Sequence, residues 1–382
     1  MNQGELSHKE DIRNLSCDDL KKYLEVAGEK SFRAAQIFEW LYQKNAWSFD
    51  EMSNLPKPLR ERLARDFRCR PFVVLQKKVS AEGTTKFLFE LDDHEKIESV
   101  LIPARDRATA CVSTQAGCRF GCKFCASGVG GWSRDLTCAE IVTQALHLKE
   151  ESLPNGQPLS HIVFMGTGEP LDNFSNLMAA VRIINSGQGL NIGARHLTVS
   201  TAGLIPGMKE LAKAGLQIEL AVSLHGYDDE TRSLLMPVNR KYPIRELMAA
   251  CREYIRETNR QITFEYILIR NLTCTEKAAL ALGGLLRGML CKMNLIPYNP
   301  VPEFDYEPPN KLEMLSFMTL LSRQGIHATV RMPRGRDVQA ACGQLRKGPS
   351  SRRGRGAGRA RPAPARRSDL KGRRGSGGRR GI

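Results

Sequence analysis

Three cysteines lie within eight positions of this sequence, at Cys118, Cys122 and Cys125, in the spacing C-x3-C-x2-C. Thiolates gathered on one loop are ligands for a zinc ion or an iron–sulfur cluster. A structural zinc site needs four ligands, so the fourth would come from Cys111, Cys138 or a distant histidine. In a [4Fe–4S] cluster, three thiolates would leave one iron open, and an open position suits chemistry better than structure. The spacing is compatible with both kinds of site.

The cysteine count and the polar start of the chain predict a cytoplasmic protein with reduced thiols. The chain has 11 cysteines, an odd number, which argues against a framework of structural disulfides. Its first 20 residues are polar and acidic and lack the basic and apolar regions of a signal peptide. No run of about 18 apolar residues occurs, so we expect no membrane-spanning helix and no membrane partner.

The formal net charge of +16 is concentrated at the C-terminal end of the chain. Residues 346–382 contain 14 of the 57 Lys and Arg residues and a single acidic residue, and they are rich in Gly and Pro. Such a segment has too few apolar side chains to offset its ordering entropy, so we expect a disordered tail. Its charge allows two interpretations: nonspecific contacts with nucleic-acid phosphates, or solvation without an essential role.

Apolar periodicity divides the rest of the chain into three parts. Residues 1–75 space their apolar side chains by three and four, which predicts a helical accessory domain. Residues 76–103 contain three β-rich runs between turn residues, which predicts a small antiparallel element. In residues 104–345, seven strand-like runs alternate with six helical stretches, the pattern of parallel strands with crossover helices. An α/β fold follows, and a barrel and a doubly wound sheet both satisfy this pattern.

Chemically useful residues recur at the ends of these strands, where parallel α/β folds place their binding sites. The cysteine triplet follows the first strand, and "GTGEP" (166–170) follows the second. "STAG" (200–203) ends the third strand and "SLHG" (223–226) ends the fourth. "PYNP" (297–300) follows the sixth, and "AACGQ", with Cys342, follows the last. We therefore expect loops that are distant in sequence to meet on one rim.

Together these motifs resemble the radical S-adenosylmethionine (SAM) superfamily, and within it the RlmN and Cfr family of RNA methyltransferases, with the RlmN branch nearer. The segments that carry the resemblance are "GEKSFRAAQIFEWLY", "DRATACVSTQAGCRFGCKFC", "MGTGEPLDN", "AVSLHGYDDETRSLLMPVN", "NLIPYNP" and "AACGQL". They extend from about residue 20 to residue 345, so the C-terminal tail lies outside the resemblance. The resemblance implies a partial (βα)6 barrel of the radical SAM type and an N-terminal domain that binds RNA.

The resemblance also implies two cofactors, a [4Fe–4S] cluster and SAM. In this family the three cysteines bind the cluster and SAM occupies the open iron, which makes Cys118, Cys122 and Cys125 the expected cluster ligands. An electron from the cluster then cleaves SAM to a 5′-deoxyadenosyl radical. A carboxylate on the "GEP" loop meets the SAM ammonium group. The residues that match the family's SAM contacts are Gly168, Glu169, Ser200, Ser223, Leu224, His225 and Asn299.

Three further residues match the methyl-transfer chemistry of the family. Cys342 corresponds to the cysteine that takes a methyl group from one SAM. The radical made from a second SAM removes a hydrogen from that methyl group, and the carbon radical adds to C2 of an adenine. Glu98 corresponds to the general base that removes the C2 proton. Cys111 then attacks the Cys342 sulfur, which forms a transient disulfide bond and releases the methylated base.

The partners implied by the resemblance are RNA molecules and an electron donor. The RNA substrates would be 23S rRNA, at an adenosine of the peptidyl-transferase region, and tRNA, at the adenosine beside the anticodon. The target base must be splayed out to reach such a pocket. The cluster would need a reductant such as flavodoxin or ferredoxin, and we expect a monomer. Two other functions compete with this one: Cfr-type methylation of C8 of the same rRNA adenosine, and RNA binding by a noncatalytic metal-bearing protein.

Overall fold

The computed structural model describes residues 9–346. The predicted disordered tail therefore lies outside the described residues, with the exception of Arg346. That residue belongs to the folded part of the chain, because its backbone N–H donates to Glu98 and its guanidinium donates to Glu303. The last described residue is thus the first residue of the predicted tail.

The described residues form short N-terminal elements, an antiparallel segment and a long alternation of strands and helices. The strands are β1 (Glu10–Asp11), β2 (Phe67–Arg68), β3 (Phe72–Val79), β4 (Thr85–Leu91), β5 (Lys96–Pro103), β6 (Ala108–Cys111), β7 (Gln115–Gly117), β8 (Trp132–Asp135), β9 (Leu159–Phe164), β10 (Leu197–Thr201), β11 (Glu219–Ser223), β12 (Ile262–Leu268), β13 (Cys291–Pro297) and β14 (Ala328–Val330). The α-helices are α1 (Cys17–Val26), α2 (Arg33–Phe38), α3 (Lys57–Asp66), α4 (Cys138–Ser152), α5 (Phe174–Asn185), α6 (Ile205–Ala212), α7 (Asp229–Leu235), α8 (Ile244–Thr258), α9 (Glu276–Leu286) and α10 (Lys311–Arg323). Over the described part of the chain, no helix has both the length and the apolar character needed to span a membrane.

The strand order decides between the two folds that the sequence pattern allows. Ten strands form one sheet in the order β14-β13-β12-β11-β10-β9-β6-β5-β4-β3. From β6 to β14, every neighbouring pair is parallel and the order follows the chain without reversal. Parallel crossovers are right-handed, so an order without reversal places all crossover helices on one side of the sheet. A doubly wound sheet has helices on both sides, and the partial (βα)6 barrel is therefore confirmed.

All seven predicted strands of the barrel are present, and the six predicted helices between them correspond to α4, α5, α6, α8, α9 and α10. Two elements were not predicted: the hairpin of β7 and β8, and the seven-residue helix α7. Both are too short for apolar periodicity to be visible in the sequence. Helix α7 is instead marked by its cap, because the Asp228 side chain accepts from the Thr231 backbone N–H at 2.8 Å.

The N-terminal helices pack directly on the barrel. Helix α1 begins with a capping box in which Ser16 and Asp19 each accept from the other's backbone N–H. It buries Leu20 and Leu24 completely. These side chains belong to the same apolar cluster as the interior residues of the barrel strands and of α4. The helical part that the sequence predicts is thus held to the barrel by continuous apolar packing.

The predicted antiparallel element extends the wall of the barrel. Strands β3, β4 and β5 pair antiparallel, and β5 continues the sheet by pairing with β6, the first parallel strand. At this junction Val100 on β5 lies opposite Cys111 on β6. Residues two apart on a strand share a face, so Glu98 lies on the same face as Val100. The antiparallel element therefore places Glu98 on the sheet face that also carries Val100, next to β6 and Cys111.

Candidate active site

The ends of the parallel strands surround a cavity of about 150 Å³. The cavity is lined by five residues that the sequence analysis singles out: Cys125, Ser200, Ser223, His225 and Cys342. They come from the cysteine loop, from β10 and β11, and from the segment after β14. The expected meeting of distant loops on one rim is therefore observed. A buried carboxylate that was not predicted, Glu265 on β12, lines the same cavity.

The loop with the three cysteines folds back tightly on glycines. Gly117 and Gly121 have φ angles of +85° and +62°, in the left-handed region that favours glycine. A Cβ on Gly128 would lie 3.1 Å from the Cα of Gly121, and one on Gly117 would overlap the Gly131 carbonyl group. The close return of the chain thus depends on these residues having no side chain.

Burial and mutual proximity shape the electrostatics of the three thiols. Burial raises the pKa of all three, and that of Cys118 reaches about 12. After burial, the negative charges of Cys125 and Cys118 are the next causes that raise the pKa of Cys122. Three half-buried thiols whose charges oppose one another need cationic compensation to become thiolates. A bound metal centre supplies such compensation.

The arrangement of the cysteines is compatible with an iron–sulfur cluster. Among residues 9–346, no three His, Cys, Asp or Glu side chains are placed to hold one metal ion together. A [4Fe–4S] cluster has a different requirement, because its thiolates bind different irons and their sulfurs stand apart. Soft thiolate donors on one loop, half-buried and close enough to interact, fit such a cluster.

The "GTGEP" loop after β9 lies against the strand end that leads into the cysteine loop. A Cβ on Gly166 would lie 2.6 Å from Ser113 Oγ, and one on Gly168 would lie 2.6 Å from Gln115 Cβ. Gly168 also has a φ angle of +109°. Side chains at either position would push the loop away from the cysteines. These glycines therefore set the position of the residue that follows them, Glu169.

Glu169 is buried, and its two carboxylate oxygens accept from backbone N–H groups. Oε2 accepts from Ala202 at 2.7 Å and Oε1 accepts from Leu171 at 3.2 Å. Its own N–H donates to Gln115 Oε1 at 2.9 Å. Burial raises the pKa of Glu169 to about 7 although these hydrogen bonds act in the opposite direction. A carboxylate desolvated to this degree gains strongly from an approaching cation, so the site suits an ammonium group.

His225 presents a neutral hydrogen-bond donor at the end of β11. Its φ angle is +50°, and its Nδ1 accepts from the Ile267 backbone N–H at 3.0 Å. Burial lowers the pKa of His225 to about 3, with a smaller contribution from the charge of Arg232. The ring is therefore neutral, and because Nδ1 accepts, Nε2 carries the proton. The Phe124 ring of the cysteine loop packs edge-on against it, with centroids 4.8 Å apart.

The remaining predicted SAM contacts have partners in the strands. Ser200 Oγ donates to the Phe164 carbonyl at 2.8 Å. Leu224 is fully buried, and its N–H donates to the Glu265 carbonyl at 3.0 Å. Asn299 differs, because its Nδ2 donates to the Cys342 carbonyl at 3.0 Å. In this structure Asn299 thus holds the residue that carries the candidate nucleophile.

Residues 334–346, here called the Cys342 segment, lie between the antiparallel element and the cysteine loop. On one side, the Gly335 N–H donates to Glu82 and the Ala81 N–H donates to Asp337 at 3.0 Å. On the other side, the hydrogen bonds run from Ala126 N–H to the Gly343 carbonyl (2.7 Å) and from Ser127 Oγ to the Leu345 carbonyl (2.8 Å). The segment therefore bridges the two parts of the site.

The structure brings Glu98, Cys111 and Cys342 together around this segment. The apolar cluster that covers the β5–β6 face contains Val100, Cys111, Ala340 and Leu345. Cys111 is buried; burial raises its pKa strongly, and the charge of Cys342 raises it further. Cys342 is accessible to solvent, yet the protein around it and the Glu265 carboxylate raise its pKa to about 11. Every cysteine is a free thiol within residues 9–346, so the predicted disulfide bond is not present.

Two residues of the site were missed by the sequence analysis. Arg232 on α7 is completely buried and donates to the Leu224 carbonyl, the Asn239 side chain and the Ala202 carbonyl. Glu265 accepts from Asn294 Nδ2 at 2.7 Å, and it lies in register with Ser223 on the neighbouring strand. A lone Arg within a polar loop and a Glu within an apolar strand give no local sign of these contacts. A charged residue in a buried strand often serves a function, and this was the only signal that could have indicated Glu265.

A barrel of this strand order, with a three-cysteine loop after its first parallel strand, defines the radical SAM class of enzymes. Residues 112–280 match the radical SAM superfamily, and residues 10–68 match the ribosomal RNA large subunit methyltransferase N-terminal domain. A solved radical SAM methyltransferase from Sphaerobacter thermophilus is 44% identical and superposes with a TM-score of 0.86, covering 88% of this chain and 99% of that chain.

Curated relatives narrow the class to one family. "Probable dual-specificity RNA methyltransferase RlmN" of Clostridioides difficile (strain 630) is 46% identical over 88% of this chain and 97% of its own length. The protein of the same name from Bacillus subtilis (strain 168) is 46% identical over 88% of this chain and 92% of its own. The chain belongs to the RlmN family of radical SAM RNA methyltransferases.

Proposed function

We propose that this chain methylates C2 of an adenosine in 23S rRNA and C2 of the adenosine 3′ of the tRNA anticodon. The observation that carries the proposal is the position of the Cys342 segment. It is hydrogen-bonded to the cysteine loop on one side, and on the other it covers the face that holds Glu98 and Cys111. The names of the relatives, dual-specificity RNA methyltransferases, support RNA as the substrate.

The residues around the cavity divide into two groups by their chemistry. Cys118, Cys122 and Cys125 would hold a [4Fe–4S] cluster, and the polar residues of the strand ends would hold SAM. The residues proposed to hold SAM are Gly168, Glu169, Ser200, Ser223, Leu224, His225 and Asn299. When bound, these cofactors supply a methyl group and the one-electron chemistry that activates it. Glu169 would bind an ammonium group, and His225 would donate a hydrogen bond through Nε2.

The remaining three residues would act on the methyl group and the base. Cys342 would bind the methyl group through its sulfur, after losing the thiol proton to solvent. Glu98 would take the proton from C2 once the methylene carbon is bonded to the adenine and the unpaired electron of the adduct has passed to the electron-transfer cofactor. Cys111, as a thiolate, would attack the Cys342 sulfur; the S–S bond forms, the S–C bond breaks, and the carbon takes a proton. The disulfide would then be reduced by an external thiol, because its formation removes two electrons from the protein.

The proposed function is tested by analysing the nucleosides that the enzyme produces. We expect anaerobically prepared enzyme with SAM and a reductant to form 2-methyladenosine in unmodified 23S rRNA and tRNA, measured by mass spectrometry. Cys122→Ala should bind less iron and form no product, because a cluster ligand is removed. Cys291→Ala, which removes a thiol from β13 outside the cavity, is the matched control and should remain active. Formation of 8-methyladenosine would contradict the C2 assignment, and full activity of Cys122→Ala would contradict the cluster assignment.

The C-terminal tail is proposed to add nonspecific affinity for RNA phosphates. Residues 347–382 contain 13 Lys and Arg residues. We expect a chain that ends at residue 346 to show a shallower dependence of log Kd on log salt concentration, by about 0.7–0.9 for each phosphate that the tail would neutralise. A full-length variant with Gln at these basic positions controls for length. An unchanged slope in both proteins would contradict a role of the tail in binding.

The other partners follow from the proposed chemistry. Reduction of the cluster needs a low-potential donor such as flavodoxin or ferredoxin, and rRNA and tRNA substrates place the reaction in the cytoplasm. We propose a monomer as the active form.

A further inference from the structure

Lys86 and Glu98 form a buried ion pair whose cationic member has no part in the function proposed above. Lys86 Nζ lies 2.9 Å from Glu98 Oε1, and the two side chains are 8% and 12% exposed. The same ammonium group donates to the Gln339 carbonyl at 3.1 Å. The second carboxylate oxygen, Oε2, accepts from the Arg346 backbone N–H at 2.8 Å. Both oxygens of Glu98 are thus fixed, one of them directly by Lys86.

The position of Lys86 in the sheet places it on the same face as Glu98 and Cys111. Lys86 lies opposite Val100, and Val100 lies opposite Cys111. Glu98 is two residues from Val100 on the same strand and shares its face. The Cys342 segment covers this face, and Lys86 contacts that segment through Gln339. Lys86 therefore joins the carboxylate to the segment that carries Cys342.

Stability alone does not account for this pair. Desolvating two charges costs several kcal/mol per ion, and apolar replacements of a buried ion pair are often neutral or stabilising. A buried carboxylate without a nearby cation takes up a proton, and a protonated carboxyl group cannot accept another from substrate. Lys86 instead supplies a cation 2.9 Å from the Glu98 carboxylate, which fixes the direction in which that carboxylate points.

We propose that Lys86 is a positioning residue for Glu98, which it holds oriented next to Cys111 and the Cys342 segment. The inference rests on the proposed function, in which the C2–H bond of the RNA adduct breaks. In that step the proton passes to a Glu98 oxygen and the electron pair returns to the ring. Lys86 contributes to this step only, because earlier steps do not use Glu98.

The test compares Lys86→Met, which removes the charge, with Lys86→Arg, which keeps it. We expect Lys86→Met to lower product formation by about 100-fold. Iron content and methylation of Cys342, measured by peptide mass spectrometry, should be unchanged. A covalent protein–RNA adduct should accumulate on denaturing gels, and Lys86→Arg should restore most of the activity. Lys77→Met, on the exposed strand β3, is the matched control.

A double variant separates positioning from folding. Lys86→Met alone leaves the charge of Glu98 unpaired, which could prevent folding. Lys86→Met combined with Glu98→Gln removes both charges and therefore leaves no unpaired ion. If Lys86 acts through Glu98, the double variant should be no less active than Glu98→Gln alone.

The outcomes distinguish the failure of this inference from the failure of the proposed function. Wild-type activity in Lys86→Met, loss of Cys342 methylation, or equal loss in Lys86→Arg would each overturn the role of Lys86 while leaving RNA methylation intact. Absence of methylated adenosine with the wild-type enzyme would overturn both.

Discussion

Replacement of Cys111 by Ala is expected to convert the enzyme into a protein that captures its RNA substrate covalently. Cys111 lies buried in the cluster that the Cys342 segment covers, and the charge of Cys342 contributes to its raised pKa. Without the Cys111 thiolate, nothing in the proposed mechanism breaks the bond between the Cys342 sulfur and the methylene carbon. We expect multiple turnover to fall by at least about 100-fold while the adduct approaches one RNA per active protein.

The adduct is measured as an RNA-linked band on denaturing gels. Digestion with nuclease and protease followed by mass spectrometry should locate the modified adenosine on the peptide that contains Cys342. Cys138→Ala is a suitable control because it removes another buried thiol, on α4, outside the cavity. Both substitutions remove a small buried side chain, so their cost in stability should be similar. Multiple turnover by Cys111→Ala at the wild-type rate, without adduct, would refute the role proposed for this residue.

Replacement of Arg232 by Met is expected to be the most destabilising single change at the site. The guanidinium donates at 3.0 Å to the Leu224 carbonyl and at 2.7 Å to the Ala202 carbonyl, which follow β11 and β10. It also donates to Asn239 Oδ1 at 2.8 Å. Burial lowers the pKa of Arg232 to about 10, so the group is still charged at neutral pH. Met occupies a similar volume but leaves two buried acceptors and one part-buried acceptor unpaired.

Three unpaired acceptors at about 1–3 kcal/mol each would cost about 3–9 kcal/mol. Removal of the buried charge relieves its desolvation and offsets part of this cost, so we expect the free energy of unfolding to fall by about 3–5 kcal/mol. Urea unfolding of anaerobically prepared protein, followed by circular dichroism, measures this change. Arg240→Met, at an exposed position nearby, should alter the free energy by less than about 0.5 kcal/mol. A similar small change for Arg232→Met would show that the strand ends hold their positions without its hydrogen bonds. Reduced SAM affinity is expected to accompany the loss of stability, because Ser223 and His225 flank Leu224.

The elements of the barrel could be predicted because their signals are local. Each of its seven strands and six crossover helices has a run of apolar residues with its own period, and the turn residues between runs mark the boundaries. The spacing of Cys118, Cys122 and Cys125 is a local signal as well. The position of each motif at or directly after the end of a strand is also a local signal. It was sufficient to predict that these loops meet on one rim of the barrel. Short elements such as α7 lack a period and were missed for that reason.

Contacts between distant residues could not be predicted in the same way. A lone Arg232, or a lysine at position 86 in an ordinary strand, shows no partner until the sheet register and the α7 loop are known. Asn299 was expected at SAM, and the structure shows its side chain donating a hydrogen bond to the Cys342 carbonyl. The Cys342 segment contacts β5 and β6 although more than 200 residues of sequence separate them. Such pairings depend on long-range register, which no local pattern encodes.

The sequence by itself therefore determined which residues are proposed to carry the chemistry and the order in which strands and helices follow one another. The tertiary structure decided that the strands keep chain order in one open barrel, that the antiparallel element carries Glu98 into its wall, and that Lys86 contacts Glu98 while Arg232 binds the ends of β10 and β11. The physical reason is the range of the interactions. Apolar periodicity and ligand spacing act over a few residues, whereas buried charges find their partners only when distant segments are packed together.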